Sequence, residues 1–180
     1  MNCHMPRINE GLQDIVRTHT IFSPTNFAMI HANHPNACNQ CHTDKSIDWT
    51  IESLEQWYGS KFNEQKLNNH YTDRTQPVAL GWLQSENEAV RKIAADSLFR
   101  TRSAWDQDTT IQEALINALD DPYLINRQFA QHGFEDLLGV QLPDHGYRFY
   151  MTPEEREKPM VELRKLLRNG FAQTMVKNDE

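Results

Sequence analysis

Several things are missing from this 180-residue chain, and each absence narrows what it does. No run of apolar residues approaches membrane-spanning length, so no transmembrane segment is expected. Positive charge is in the minority: 18 Lys and Arg stand against 25 Asp and Glu, for a net charge of -7. Phosphate neutralisation needs a basic surface, so nucleic acid is not an expected partner. Cysteine is scarce, and its count of three is odd, which fits poorly with a disulfide framework. Residues 1–36 lack periodicity. They hold Pro6, Gly11, Ser23-Pro24 and His34-Pro35, and only Leu12, Ile15 and Val16 suggest a short helical turn. A polar stretch of this kind does not bury enough apolar area to order itself, so its apolar surface has to come from elsewhere.

What is present is Ala37-Cys38-Asn39-Gln40-Cys41-His42. This is a C-x-x-C-H, the attachment signature of c-type haem. Two cysteines with two residues between them each form a thioether to one vinyl group. The adjacent histidine then falls under the iron as an axial ligand. The first residues, Met1-Asn2-Cys3-His4-Met5-Pro6, read as the end of a second such motif whose first cysteine would precede Met1. That accounts for the odd cysteine. Haem c is assembled outside the cytoplasm, yet the N-terminus has no charged-then-apolar leader. The expectation is therefore a C-terminal part of a longer exported protein, periplasmic or extracytoplasmic.

After the motif the reading becomes helical. A helix is expected from Ser46 or Thr50 to Tyr58, closed by Gly59, with Ile51, Leu54 and Trp57 on one face. Residues 60–75 are polar and read as a linker with, at most, a helical turn. From about Thr75 a pattern recurs at an offset of 36 residues: the stretch from Leu83 to Arg91 resembles that from Leu119 to Arg127. A period in this range marks a helical solenoid. Two helix pairs follow, 76–83 with 86–100 and 110–119 with 122–138. Ser85-x-x-Glu88 and Thr109-x-x-Gln112 read as capping boxes, Asp121-Pro122 as a capped start, and Gly139 as a stop. Arg91 and Arg127 read as packing residues of the repeat. Residues 140–151 form a loop, and a last helix begins at Thr152-Pro153-Glu154-Glu155, with Pro159 as a point of kinking.

The fold class is thus mainly α: a loop-rich haem-binding N-terminal segment packed on HEAT-like α-helical repeats. The segments are 1–59 (haem binding), 60–75 (linker), 76–139 (helical repeats) and 140–180 (C-terminal loop and helix).

Cys3-His4-Met5-Pro6, His19-Thr20-Ile21 with Ser23-Pro24, the string from Pro35 to Lys45, and Trp57-Tyr58-Gly59 together resemble a family of exported bacterial multihaem c-type cytochromes. Some members continue into HEAT-like or tetratricopeptide repeats. The matching residues lie within 1–59, a third of the chain. The resemblance implies covalent haem c, six-coordinate bis-His iron, and electron transfer in the periplasm or at the cell surface. The partners it implies are redox proteins or the rest of a longer parent chain.

On these grounds Cys38, Cys41 and His42 are the haem site, and Cys3 and His4 the remnant of a second. His19 is the first candidate for the sixth iron ligand, by resemblance and because such a ligand has to come from somewhere. His34 and His31 compete with it. His70, His132 and His145 read as structural or exposed. Trp49, Trp57 and Tyr58 read either as porphyrin packing or as core. The expected activity is one-electron transfer by Fe(III)/Fe(II) cycling. Two histidine ligands leave no open position, which favours a carrier over an enzyme. A competing reading is a HEAT-like interaction scaffold with a zinc or redox clip built from His31, His34, Cys38 and Cys41. A third is a piece of a multihaem reductase with one ligand position open.

Overall fold

A computed structural model describes residues 4–9, 15–21 and 23–177, with side chains as far as residue 170. The protein is mainly helical. It divides into two compact units, Met1–Ala104 and Trp105–Glu180. Among the described residues no helix is long and apolar enough to cross a membrane.

The first unit begins with a two-stranded antiparallel ribbon, β1 (Arg7–Ile8) and β2 (Val16–Arg17), with Arg7 opposite Arg17 and Ile8 opposite Val16. Here the structure differs from the sequence reading, which put a helical turn at Leu12, Ile15 and Val16; Leu12 lies outside the described residues. Ile15, just before β2, is buried, while Val16 and Arg17 are exposed; the pairing with β1, not burial, marks the strand. Helix α1 (Phe27–His31) follows, capped by Asn26, whose side chain accepts from the Ala28 N–H at 3.0 Å.

Helix α2 (Ile47–Tyr58) has the expected limits. Ser46 Oγ accepts from the Trp49 N–H, and Gly59 closes the helix in the left-handed region at φ 63°. Its buried face is Ile47, Thr50, Ile51 and Leu54. Trp57 does not continue that face: residues 55–58 are all exposed, and Trp57 and Tyr58 keep 63% and 62% of their surface. Neither is core. The polar stretch 60–75 contains a whole helix, α3 (Glu64–His70), with Asn63 as its cap and Leu67 fully buried. Helices α4 (Val78–Leu83) and α5 (Glu88–Arg100) pack on each other. One apolar cluster joins these elements, with Ile30, Ile47, Leu54, Leu67, Trp82 and Ala94 at its centre.

The second unit holds α6 (Thr109–Asn117), a short 3-10 turn to Asp120, α7 (Leu124–Leu138) and α8 (Pro153–Lys177). Several capping residues differ from expectation. Asn87, not Ser85, caps α5, and Asp108, not Thr109, caps α6; each supplies an oxygen to two backbone N–H groups. Asn87 and Asp108 have the extended backbone of a cap residue, and their side-chain oxygens, one bond further out than a hydroxyl, span two N–H donors each. Helix α7 starts at Leu124, two residues after Pro122. At α8 the box is as read: Glu155 accepts from the Thr152 N–H at 2.8 Å, and Thr152 accepts from the Glu155 N–H at 3.4 Å. Helix α8 continues through Pro159.

The 36-residue offset has a local structural counterpart. Arg91 Nη1 donates to the carbonyls of Ser85 and Glu86, at 2.7 and 3.0 Å. Arg127 Nη1 donates to those of Asp121 and Pro122, at 2.7 and 3.1 Å. Likewise the Asn87 N–H donates to Ser85 Oγ, and the Tyr123 N–H to Asp121 Oδ1. Arg127 adds a bond from Nε to the Phe149 carbonyl and is buried.

Candidate functional site

The C-x-x-C-H segment forms a turn before α2. The His42 N–H donates to the Cys38 carbonyl at 3.0 Å, and the Cys41 N–H to the same oxygen at 3.2 Å. Asn36 starts the turn as a helix cap does: its Oδ1 accepts from the N–H groups of Cys38 (3.1 Å) and Asn39 (3.0 Å). Cys38 and Cys41 therefore stand three residues apart on one helical turn, on the same side of it. Both are partly exposed, and they are not joined in a disulfide. His42 is exposed, with its ring 4.8 Å from that of Trp49.

The two residues between the cysteines are buried and tie the turn to the rest of the unit. Asn39 is fully buried and uses its whole side-chain amide. Oδ1 accepts from Asn36 Nδ2 (2.9 Å) and Thr50 Oγ1 (2.7 Å), while Nδ2 donates to the carbonyls of His42 (3.3 Å) and Lys45 (3.2 Å). Gln40 reaches the other way. Its Nε2 donates to the Arg7 carbonyl and its Oε1 accepts from the Arg7 N–H, both at 3.1 Å, so it pairs with β1. Thr43 adds a hydroxyl contact to Thr101 at 2.7 Å. Sequence reasoning missed all of these. Two signals were present: the Asn36-x-x-Asn39 spacing around the first cysteine, and Thr50 within the apolar face of α2, a buried hydroxyl that needs a partner.

The other candidate ligands are dispersed. His19 is exposed in the bend after β2, and His34 is exposed four residues before Cys38. His31 is committed elsewhere: its Nε2 accepts from the Asn63 N–H at 3.0 Å, and its ring packs against Phe27 and Phe62. Burial holds its pKa below the usual histidine range, and the charges of Lys66 and His70 add to that. His70 Nδ1 bonds the Lys66 carbonyl. His132 and His145 are exposed in the second unit, as expected. Cys3 lies outside the described residues. His4 is exposed and lines a cleft of about 560 Å³ with Phe27, Tyr58 and Lys61 on its walls.

Among the described residues no three His, Cys, Asp or Glu side chains converge as a metal site. The arrangement His31, His34, Cys38 and Cys41 is thus not assembled, and the bond to Asn63 occupies the nitrogen that His31 would bring. By contrast, a covalent haem asks for two thiols one turn apart followed by a histidine, and the turn offers that donor set with all three side chains at least partly accessible.

No protein-family model, no curated protein and no solved structure matches the chain.

Proposed function

We propose that the chain is an electron-transfer protein carrying covalent haem c on Cys38 and Cys41, with His42 as the proximal iron ligand. The observation that carries this reading is the Cys38–His42 turn, which presents two thiols and an imidazole while its backbone and its intervening residues are fixed by hydrogen bonds. When bound, the haem supplies one-electron Fe(III)/Fe(II) chemistry, and the protein's part is to set axial ligation, water exclusion and potential. His19 and His34, both exposed in the first unit, are the candidates for the sixth position. His31 ranks below them, because it already serves as an acceptor.

The exposed aromatic and aliphatic surface of the first unit supports the same reading. Ile21 (75% exposed), Phe27, Trp57 and Tyr58 leave apolar area uncovered, which a large planar cofactor would cover. His4 lines a cleft together with Phe27 and Tyr58, and Cys3-His4 would belong to a second haem in the parent protein. The HEAT-like helical segment would then serve a redox partner or the rest of the parent chain, in the periplasm or outside the cell.

The test is an optical redox titration of protein made with an export leader and haem c maturation. A reversible one-electron change, with no carbon monoxide binding by the reduced form, supports a six-coordinate carrier. Carbon monoxide binding would point instead to an open ligand position and a reductase.

A further inference from the structure

Asn39 lies between the two cysteines, and the attachment signature asks nothing of that position. Yet it is fully buried and all four of its amide bonds are made. Two of its partners bear directly on the proximal histidine. Its Nδ2 holds the His42 carbonyl, while the His42 N–H is held by Cys38, so the backbone of His42 is fixed on both sides. Its Oδ1 is held by Thr50, in the first turn of α2. Trp49, the residue next to Thr50, sets its ring 4.8 Å from that of His42. One helical turn thus grips the attachment site twice, once through backbone and once through the imidazole.

We infer that Asn39 and Thr50 are positioning residues: through the Asn39 amide they preset the backbone of His42, and Trp49 limits the swing of its ring, so that the imidazole is aimed before haem is attached. This rests on the haem reading above. Preorganisation of a ligand by its supporting hydrogen bonds is how metal sites fix ligand orientation. The inference concerns how the turn is built, and it makes the residues between the cysteines part of the site.

Three variants of the full chain test it. Thr50→Val removes the hydroxyl and keeps the volume. Thr50→Ser restores a hydroxyl. Asn39→Asp keeps acceptors for Thr50 and Asn36 but has no N–H for the carbonyls of His42 and Lys45. In the haem-free chain, exchange of the His42 amide should accelerate by about tenfold or more in Thr50→Val and Asn39→Asp, and return toward wild type in Thr50→Ser. After haem loading, the first two should show a high-spin fraction that wild type and Thr50→Ser lack. If Asn39→Asp does not fold, Thr50→Val decides alone. Wild-type exchange, or faster exchange with a wild-type haem spectrum, overturns the inference. A wild-type chain that takes up no haem overturns the functional reading instead, and the exchange measurement still reports on the turn.

Discussion

The N–H of His42 donates to the carbonyl of Cys38 at 3.0 Å, closing one helical turn around the two cysteines. The bond involves backbone only, so the turn does not depend on the imidazole. The His42 side chain is exposed, and its ring contact is with Trp49. His42→Ala should therefore change the stability of the haem-free chain by no more than about 0.5 kcal/mol, the usual size for an exposed position. In the haem-loaded chain the same change should convert the iron from low spin to high spin. Urea unfolding and the absorption spectrum check the two halves.

Asn39→Leu should behave in the opposite way. It leaves the Asn36 amide, the Thr50 hydroxyl and the carbonyls of His42 and Lys45 without their partner in a buried place. Each such loss costs about 1–3 kcal/mol, so four of them should total at least about 4 kcal/mol. The midpoint of urea unfolding measures it.

His31 gives a pH dependence with a definite sign. Its Nε2 accepts from the Asn63 N–H, which requires that nitrogen to be unprotonated. Burial, with Lys66 and His70 nearby, lowers its pKa in the folded chain. The unfolded chain therefore binds more protons just below the ordinary histidine pKa of about 6.5, and stability falls as pH drops through that range. His31→Gln keeps an acceptor and cannot titrate there. The difference in unfolding free energy between wild type and His31→Gln should shift against the wild type on going from about pH 7 to about pH 5. A difference independent of pH would mean that the bond is not formed in solution.

Arg127 and Arg91 make the same pair of carbonyl contacts, but Arg127 is buried and adds the Phe149 carbonyl. Arg127→Met should cost about 2–4 kcal/mol, and Arg91→Met less than half of that, since Arg91 is only partly buried and water can replace its bonds. Thermal or urea unfolding of the two variants compares them. Equal costs would show that burial of Arg127 contributes little.

Much of this was legible in the sequence. The attachment signature is local and needs no knowledge of the fold. Helix α2 was readable because Ser46 and Gly59 bracket an apolar period. The offset that aligns Arg91 with Arg127 also aligns the starts of α5 and α7 at Glu88 and Leu124, although both starts fall two residues later than their caps suggested. Long-range partners were hidden. Helix α3 is polar almost throughout, and it is held by the buried Leu67, the Asn63 cap and bonds with residues distant in sequence or outside the helix: the Asn63 N–H to His31, Asn33 to the His70 carbonyl, and Arg74 to Glu64 and Asn68. Asn39 and Gln40 looked like spacers, because their partners Thr50 and Arg7 lie 11 and 33 residues away. The exposed Trp57 shows the converse: its spacing fits the buried face of α2, yet among the described residues it keeps 63% of its surface.

The most direct measurement is a pyridine haemochrome assay on protein produced with an export leader and haem c maturation, run beside the Cys38→Ser/Cys41→Ser double variant. The proposal predicts a covalent haem that survives acid–acetone extraction in the wild type, one per chain from this turn, and its loss in the double variant. A wild-type chain with no covalent haem, or a double variant with as much haem as the wild type, would contradict it.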